Sequence, residues 1–347
     1  MKSLSYLAGL GLLSLPPFAF SQANSALFTY SQLMGNWNAI VHDDLLFNGS
    51  HSQSGLAVGD TATFTNASDI NQNNVFGSPY ALRIYGQLTL SGSETKSLNG
   101  GATVVRNNSV NVGLKDFALN GGAQRVLTFG SNANSLPRIT FNGNNGAPPP
   151  ASFLASTDDF FTSRHTSFSS VSQTFDLITG MVPVKNGNRL TFTAPANGNV
   201  SVFDWNVGTT GAISEVQLNV PANSFLVVNV FNAGNAWAPS FNFLGANPTM
   251  ASRVLWNILD GTNLTTNRHW YGSILAPDSS LVMGENLDGQ IFAEDLTFNS
   301  RELHFVKVSA IPEPSAFALL AGVGVLGVVG AKRSRKARSA AKSPVTV

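Results

Sequence analysis

Cysteine is absent from the 347-residue sequence, which excludes disulfide bonds, thiolate metal sites and thiol nucleophiles. Charge is scarce. Asp, Glu, Lys and Arg make up 11% of the chain, and Gly, Asn, Ser and Thr stand where Lys and Glu usually do. The net charge of +1 hides an uneven distribution, because residues 24–310 hold 13 basic against 18 acidic side chains, a net −5. An acidic body without a basic stripe excludes the electrostatic footprint of a nucleic-acid-binding protein. Catalytic signatures are missing too. No Gly-x-Ser-x-Gly marks a nucleophile elbow, and neither Gly100–Gly101 nor Gly121–Gly122 is followed by the Gly-Lys-Ser/Thr of a phosphate loop. The five histidines, His42, His51, His165, His269 and His304, show neither i, i+4 nor HExxH spacing, so no metal ligand set and no cofactor is expected.

What is present begins with a leader. Lys2 precedes a short apolar core, Leu7 to Leu15, which Pro16-Pro17 ends. Ser21-Gln22-Ala23 places small residues where a signal peptidase inspects the chain, so residues 1–23 read as a signal peptide cleaved at Ala23. At the other end, Ala316 to Ala331 carries no charged or strongly polar residue. Sixteen residues at about 1.5 Å each span roughly 24 Å, a short transmembrane helix that thinning or snorkelling could fit to the bilayer. Lys332, Arg333, Arg335, Lys336 and Arg338 follow at once, and the positive-inside rule keeps such a cluster cytoplasmic.

Pro312-Glu313-Pro314-Ser315, the apolar stretch and the basic end together resemble the PEP-CTERM sorting signal of Gram-negative bacteria that make exopolysaccharide. The resemblance covers 311–338, leaves 339–347 as an extension of the tail, and implies exosortase as a processing partner that cuts near Pro312–Pro314. The implied route is export through the inner membrane, transient anchoring there, and delivery to the cell surface or extracellular matrix.

The body reads as strands with one interruption. Runs such as Ala39–Val41, Gly55–Val58, Leu82–Tyr85, Thr103–Val105 and Val126–Phe129 are each bounded by Asn, Gly or Ser, which suits a β-sandwich or a β-solenoid. Between them, residues 151–178 place Leu154, Phe161, Phe168, Val171, Phe175 and Ile178 on one arc of about 120°, predicting an amphipathic helix after Pro148–Pro150. Strands resume from Leu190. Gly272-Ser-Ile274-Leu-Ala276-Pro-Asp278 is then echoed 17 residues later by Gly289-Gln-Ile291-Phe-Ala293-Glu-Asp295, about one solenoid coil. Gly55-Leu-Ala57, Gly86-Gln-Leu88 and Gly100-Gly-Ala102 look like further copies.

"LWN" at Trp256, "WYGSILAPDSSL", "LDGQIFAEDL" and "ELH" resemble the choice-of-anchor A domain of bacterial surface proteins, with a looser match at "NWNAIVHDDLLFNGSHSQSGLAVGD". That resemblance implies one domain over 24–310. Its implied fold is mainly β, a right-handed β-helix with one amphipathic helix alongside, and its implied role is adhesive. It supplies no catalytic residues.

Three functions follow as expectations. The first is a non-enzymatic adhesin or matrix component that contacts exopolysaccharide or surface glycans, with Trp205, Trp237 and Trp270 as stacking platforms. The second is a carbohydrate-active β-helix enzyme, which needs two carboxyl groups facing one site. Asp43-Asp44, Asp158-Asp159 and Glu294-Asp295 are the adjacent pairs, and neighbours on a strand point to opposite faces. The third is ice binding, which needs a Thr-rich sheet face. Thr61-Ala-Thr63-Phe-Thr65 and Thr191-Phe-Thr193 do not recur at a coil period and read as strand edges. Calcium at a solenoid corner stays open, although Asp260-Gly261 and Asp288-Gly289 read more simply as turns.

Overall fold

The computed structural model describes residues 17–72, 80–91, 96–99, 102–105, 110–112, 117–120, 127–129, 139–142 and 152–309. Residues 1–16 of the expected signal peptide and the unit 310–347, with Pro312–Pro314, the apolar segment 316–331 and the basic cluster, lie outside them. Among the described residues no helix is long and apolar enough to cross a membrane.

Helix α1 (Pro17–Met34) opens the described chain, and coils of three short strands follow it. The first coil is β1 (Trp37–Val41), β2 (Leu45–Asn48) and β3 (His51–Ser52). The second is β4 (Gly55–Val58), β5 (Ala62–Thr65) and β6 (Ser68–Ile70). Next come β7 (Tyr80–Ile84), β8 (Leu88–Ser91) and β9 (Lys96–Asn99), then β10 (Ala102–Val105), β11 (Val110–Val112) and β12 (Phe117–Asn120). This half ends with β13 (Leu127–Phe129) and β14 (Ile139–Asn142), and helix α2 (Ser152–Asp176) follows.

The second half is built of longer and less even coils. It starts with β15 (Val184–Asn186), β16 (Arg189–Thr193), β17 (Val200–Asn206) and the single turn α3 (Val207–Thr210). It continues through β18 (Glu215–Asn219), β19 (Phe225–Phe231), β20 (Ala236–Trp237), β21 (Asn242–Leu244) and the turn α4 (Pro248–Ala251). It closes with β22 (Val254–Ile258), β23 (Asn263–Thr266), β24 (Trp270–Tyr271), β25 (Ser273–Met283), β26 (Leu287–Gly289), β27 (Ile291–Asn299) and β28 (Glu302–Phe305).

Apart from the β15–β16 hairpin, the paired strands run parallel, as stacked coils require. Three sheets run along the stack. The first follows the order β17-β19-β22-β25-β27-β1-β4-β7-β10-β13. The second follows β20-β23-β25-β27-β2-β5-β8-β11, with the long strands β25 and β27 bending through the corner to serve both. The third is β14-β12-β9-β6-β3-β28-β26-β24, and the patch β15-β16-β18-β21 precedes the first-sheet strands of the later coils in the same way. The first coil therefore stacks on the last. Ala39 pairs with Ile291, and the seam lies midway along the first sheet.

The 17-residue echo is a true coil register: Ile274 pairs with Ile291, Leu275 with Phe292 and Ala276 with Ala293. Its glycines have a physical cause. Gly272 sits at φ +104, and a Cβ on Gly289 would stand 2.6 Å from the Gly272 carbonyl oxygen. Gly55-Leu56-Ala57 falls on the same sheet, whereas Gly86-Gln87-Leu88 enters the second sheet and is no copy of that corner.

Strands of the first sheet are buried on both faces, for example all five residues of β1 and of β22. Their near-continuous apolar runs are what two-sided burial demands. One side faces the solenoid interior and the other is covered by helices. The predicted helix is α2, which buries Phe160, Phe161, Phe168, Val171 and Phe175. Phe168 stacks on Phe292 with centroids 3.9 Å apart. Sequence reasoning expected one helix alongside, and there are two. α1 lies against α2, and it buries Ala23, Ala26, Leu27, Tyr30 and Met34 at helical spacing. Ala23, the expected cleavage point, is inside α1 and buried.

Candidate functional site: the exposed face of the second sheet

Helices pack on described strands of the first sheet, whereas the second sheet presents an open face. Its strands alternate, with β2 and β5 burying every other side chain. Leu281, Leu296, Leu45, Ala62 and Leu88 point inward in register, and Met283, Phe298, Phe47, Phe64 and Leu90 form the next inward column. Between these columns an outward row runs Thr265, Val282, Thr297, Leu46, Thr63, Thr89, each paired with the next. At about 4.8 Å per strand the six positions span roughly 24 Å. No side chain in the row is charged. The hydroxyls of the four threonines make no side-chain hydrogen bond among the described residues, which leaves them for water or a ligand.

The two flanking rows are tied down. On one side, Ser280 N–H donates to Asn263 Oδ1 (3.0 Å) and Ser280 Oγ donates to Asp295 Oδ2 (2.8 Å). Asp44 N–H then donates to Asp295 Oδ1 (3.1 Å), and Thr61 N–H to Asp44 Oδ1 (3.0 Å). On the other side, Asn48 Nδ2 donates to Asn299 Oδ1 (3.3 Å), and Thr65 Oγ1 (2.5 Å) and Asn66 Nδ2 (2.7 Å) donate to Asn48 Oδ1. Side-chain ladders of this kind hold successive strands in one plane. The face is thus a preorganised strip of hydroxyl and methyl groups between two locked polar rails.

The other predicted sites fall elsewhere. Trp205, Trp237 and Trp270 are buried, with 2%, 8% and 1% of their surface exposed, so they offer no platform to a glycan. They pack edge to face inside the C-terminal coils, Trp205 on Trp237 at 5.2 Å and Trp237 on Trp270 at 6.2 Å, with Trp256, Phe192 and Phe241 around them. A wide interior filled by aromatic rings explains why these residues occur there. The acidic pairs Asp43-Asp44 and Glu294-Asp295 do come together, because β1 and β27 are neighbours. With Asp278 they gather on an exposed corner beside His42 and His165, whose rings lie 4.0 Å apart. Partial burial, then the charges of Asp295, Asp43 and Asp278, push the Glu294 carboxyl up. Partial burial, then His165, holds His42 below its ordinary value. A groove of about 480 Å³ between α1 and α2 and a pocket of about 190 Å³ near Met181 are lined without a carboxylate. Asp158 and Asp159 lie on α2, and their side chains are outside the described set.

A second constellation escaped sequence reasoning altogether. On the third sheet, Tyr271 pairs with Asp288 and Asp288 with His304, and His269 reaches across from the residue before β24. His269 Nε2 lies 3.2 Å from Asp288 Oδ2, and His304 Nδ1 2.5 Å from Asp288 Oδ1. His304 Nε2 faces Glu302 Oε2 at 2.8 Å. Burial works to raise the Asp288 carboxyl, but the two imidazoles outweigh it and bring it to about 2. Asp288, chiefly, holds the His304 imidazole above its ordinary value against partial burial, with help from Glu302. The separations of 19 and 16 residues are coil lengths, which no motif spacing records.

A parallel β-solenoid with helices on one sheet and an open hydroxyl-lined face on another is the class of protein that these features define. The chain belongs to the family described as "Putative Ice-binding-like adhesive domain", whose model matches residues 30–305. Among solved structures, it is similar to an ice-binding protein from the Antarctic ascomycete Antarctomyces psychrotrophicus. That match has 13% identity, covers 80% of this chain and 97% of the other, and has a TM-score of 0.35. A Shewanella frigidimarina ice-binding protein domain matches at 12% identity over 80% and 96%, TM-score 0.30. A glycosylated ice-binding protein from an Arctic yeast matches at 12% over 82% and 95%, TM-score 0.31. No curated protein matches.

Proposed function

We propose that this chain is an exported, non-enzymatic adhesive module that holds an extended, repeating ligand on the exposed face of its second sheet. One observation carries the reading: the register-matched row Thr265, Val282, Thr297, Leu46, Thr63, Thr89, with unbonded threonine hydroxyls between two hydrogen-bonded rails. A row of hydroxyls at strand spacing suits a ligand that repeats along one direction, and exopolysaccharide or a surface glycan is the ligand class. Membership in an adhesive family supports this. The Pro312-Glu313-Pro314 motif, followed by an apolar stretch and a basic end, supports export and exosortase sorting toward the cell surface.

Ice is the second reading, and the same row favours it. Its alternation of hydroxyl and methyl groups without charge is what an ordered water layer would meet. One pair of variants addresses both. Thr63→Lys and Thr297→Lys place ammonium groups at the middle of the row on outward-facing, half-buried positions. Exopolysaccharide retention on protein-coated beads should fall at least tenfold, and a thermal-hysteresis assay on the same samples reads the ice arm. Undiminished binding in the double variant would sink the assignment of the face. Wild type that binds neither glycan nor ice would sink the function. For sorting, mass spectrometry of the mature protein from an exosortase-competent host should show nothing beyond the Pro312–Pro314 region, and an intact Val347 would refute it.

A further inference from the structure

We propose that His269, Asp288 and His304 form a binding site for a divalent transition-metal ion of the zinc type, which staples three successive coils of the third sheet. One ligand atom from each residue can be chosen so that all lie within 4.8 Å of one another. A tetrahedral centre with bonds of about 2.0–2.2 Å places neighbouring ligand atoms roughly 3.3 Å apart, and the His269 Nε2 to Asp288 Oδ2 separation is 3.2 Å.

Chemistry inside the cluster points the same way. His269 Nε2 is a buried atom, and its approach to Asp288 lacks hydrogen-bond geometry. It therefore sits against a carboxylate with its lone pair or proton unassigned. His304 carries the arrangement expected of a metal-bound imidazole. One ring nitrogen faces the cluster centre, while the other faces the Glu302 carboxylate at 2.8 Å, which fixes the ring and the proton on Nε2. In that tautomer the Nδ1 lone pair points at an Asp288 oxygen 2.5 Å away. Two lone pairs at that distance repel, so either a proton bridges them or the pair opens to about 3.3 Å around a metal ion, the spacing at which His269 Nε2 and Asp288 Oδ2 already stand. A second proton on the ring would satisfy His304, but a metal ion satisfies His304, Asp288 and His269 at once. Asp288 itself is buried, whereas both imidazoles keep an exposed edge. A fourth position is therefore open to water. Two imidazoles and a carboxylate suit zinc, iron, nickel or copper better than calcium or magnesium. The consequence is structural: the coils carrying β24, β26 and β28, next to the seam, become cross-linked in a chain that has no disulfide.

The test uses the untagged full-length chain, stripped with EDTA. Calorimetric titration with Zn²⁺ should show one saturable site per chain, Co²⁺ should develop the visible absorption of a tetrahedral centre, and Zn²⁺ should raise the melting temperature. His269→Gln and His304→Gln should each abolish the Co²⁺ band while the far-ultraviolet circular dichroism stays unchanged. Glu302→Gln, which leaves the ligands in place, should weaken Zn²⁺ binding about 10–100-fold. Absence of saturable Zn²⁺ binding by the wild-type chain would overturn the proposal. So would Zn²⁺ binding of unchanged affinity in both histidine variants, because the ion would then sit elsewhere. If His304 merely holds a second proton, neither metal binds.

Discussion

Helix α2 is clamped to the first sheet by a ladder of buried amides, and breaking that ladder at Asn257 gives the sharpest quantitative test of the packing. Asp204, Asn229 and Asn257 are register partners on β17, β19 and β22. Ser172 Oγ donates to Asn257 Oδ1 (2.7 Å), and Asn257 Nδ2 donates to the Ser172 carbonyl (3.1 Å) and to Asn229 Oδ1 (2.9 Å). Asn229 Nδ2 in turn donates to the Phe175 carbonyl (2.9 Å) and to Asp204 Oδ1 (3.0 Å). Asn257 is fully buried, and Asn229 and Ser172 nearly so. Asn257→Leu keeps approximate volume and removes three hydrogen bonds, each worth about 1 kcal/mol net. It also strands Ser172 Oγ and Asn229 Oδ1 away from water, at about 1–3 kcal/mol for each group left unsatisfied. Together these come to an expected loss of about 5–9 kcal/mol, a large share of the roughly 5–15 kcal/mol of a typical domain. Ser172→Ala removes only one of these bonds and should cost about 1–2 kcal/mol. Because both variants delete the same Ser172–Asn257 bond, the double variant should fall short of their sum by about 1 kcal/mol. Urea unfolding with an unchanged m-value is the assay. A loss below about 1 kcal/mol for Asn257→Leu, or strict additivity in the cycle, would show that the ladder does not hold the helix.

Three further outcomes follow from the packing. Trp270→Ala should cost about 3–5 kcal/mol in a urea titration, with adhesion per folded molecule unchanged, because the ring is interior. Gly289→Ala sets a Cβ against backbone of the preceding coil, so it should lower stability by about 3 kcal/mol, read as a drop in melting temperature. His42, depressed by burial and by His165, binds protons more readily when unfolded. Its contribution is therefore present above about pH 6.5 and is lost as pH falls toward the lower folded value. Melting of wild type and His42→Gln on either side of that pH should show a shallower acid loss in the variant.

Much of the fold was legible because its cause is local. The 17-residue echo from Gly272 to Gly289 survives in sequence since both corners need a glycine, and α2 announces itself through Phe161, Phe168 and Phe175. Helix α1 was legible in principle, because Ala23, Ala26, Leu27, Tyr30 and Met34 keep helical spacing. The expected signal peptide took in Ala23 and split this spacing at residue 23. The tryptophans misled because composition gives their number and not the width of the interior they fill. The threonine row could not be read from a period. Thr63 and Thr89 are neighbours 26 residues apart, Val282 and Thr297 are neighbours 15 apart, and Leu46 meets Thr297 only through the seam. His269, Asp288 and His304 became a cluster for the same reason: variable corners set the spacing, and pairing brings the residues together.

The seam between first and last coils has a further consequence for biogenesis. Until β27 and β28 are complete, β1, β2 and β3 present a bare parallel edge, with backbone groups waiting for a partner about 250 residues downstream. Such a pairing is slow to find along one chain. Two chains held close together could satisfy it for each other by trading their C-terminal halves, with every strand contact of the monomer kept. Crowding during assembly would then turn the same register that completes one molecule into a covalently unlinked but interlocked pair.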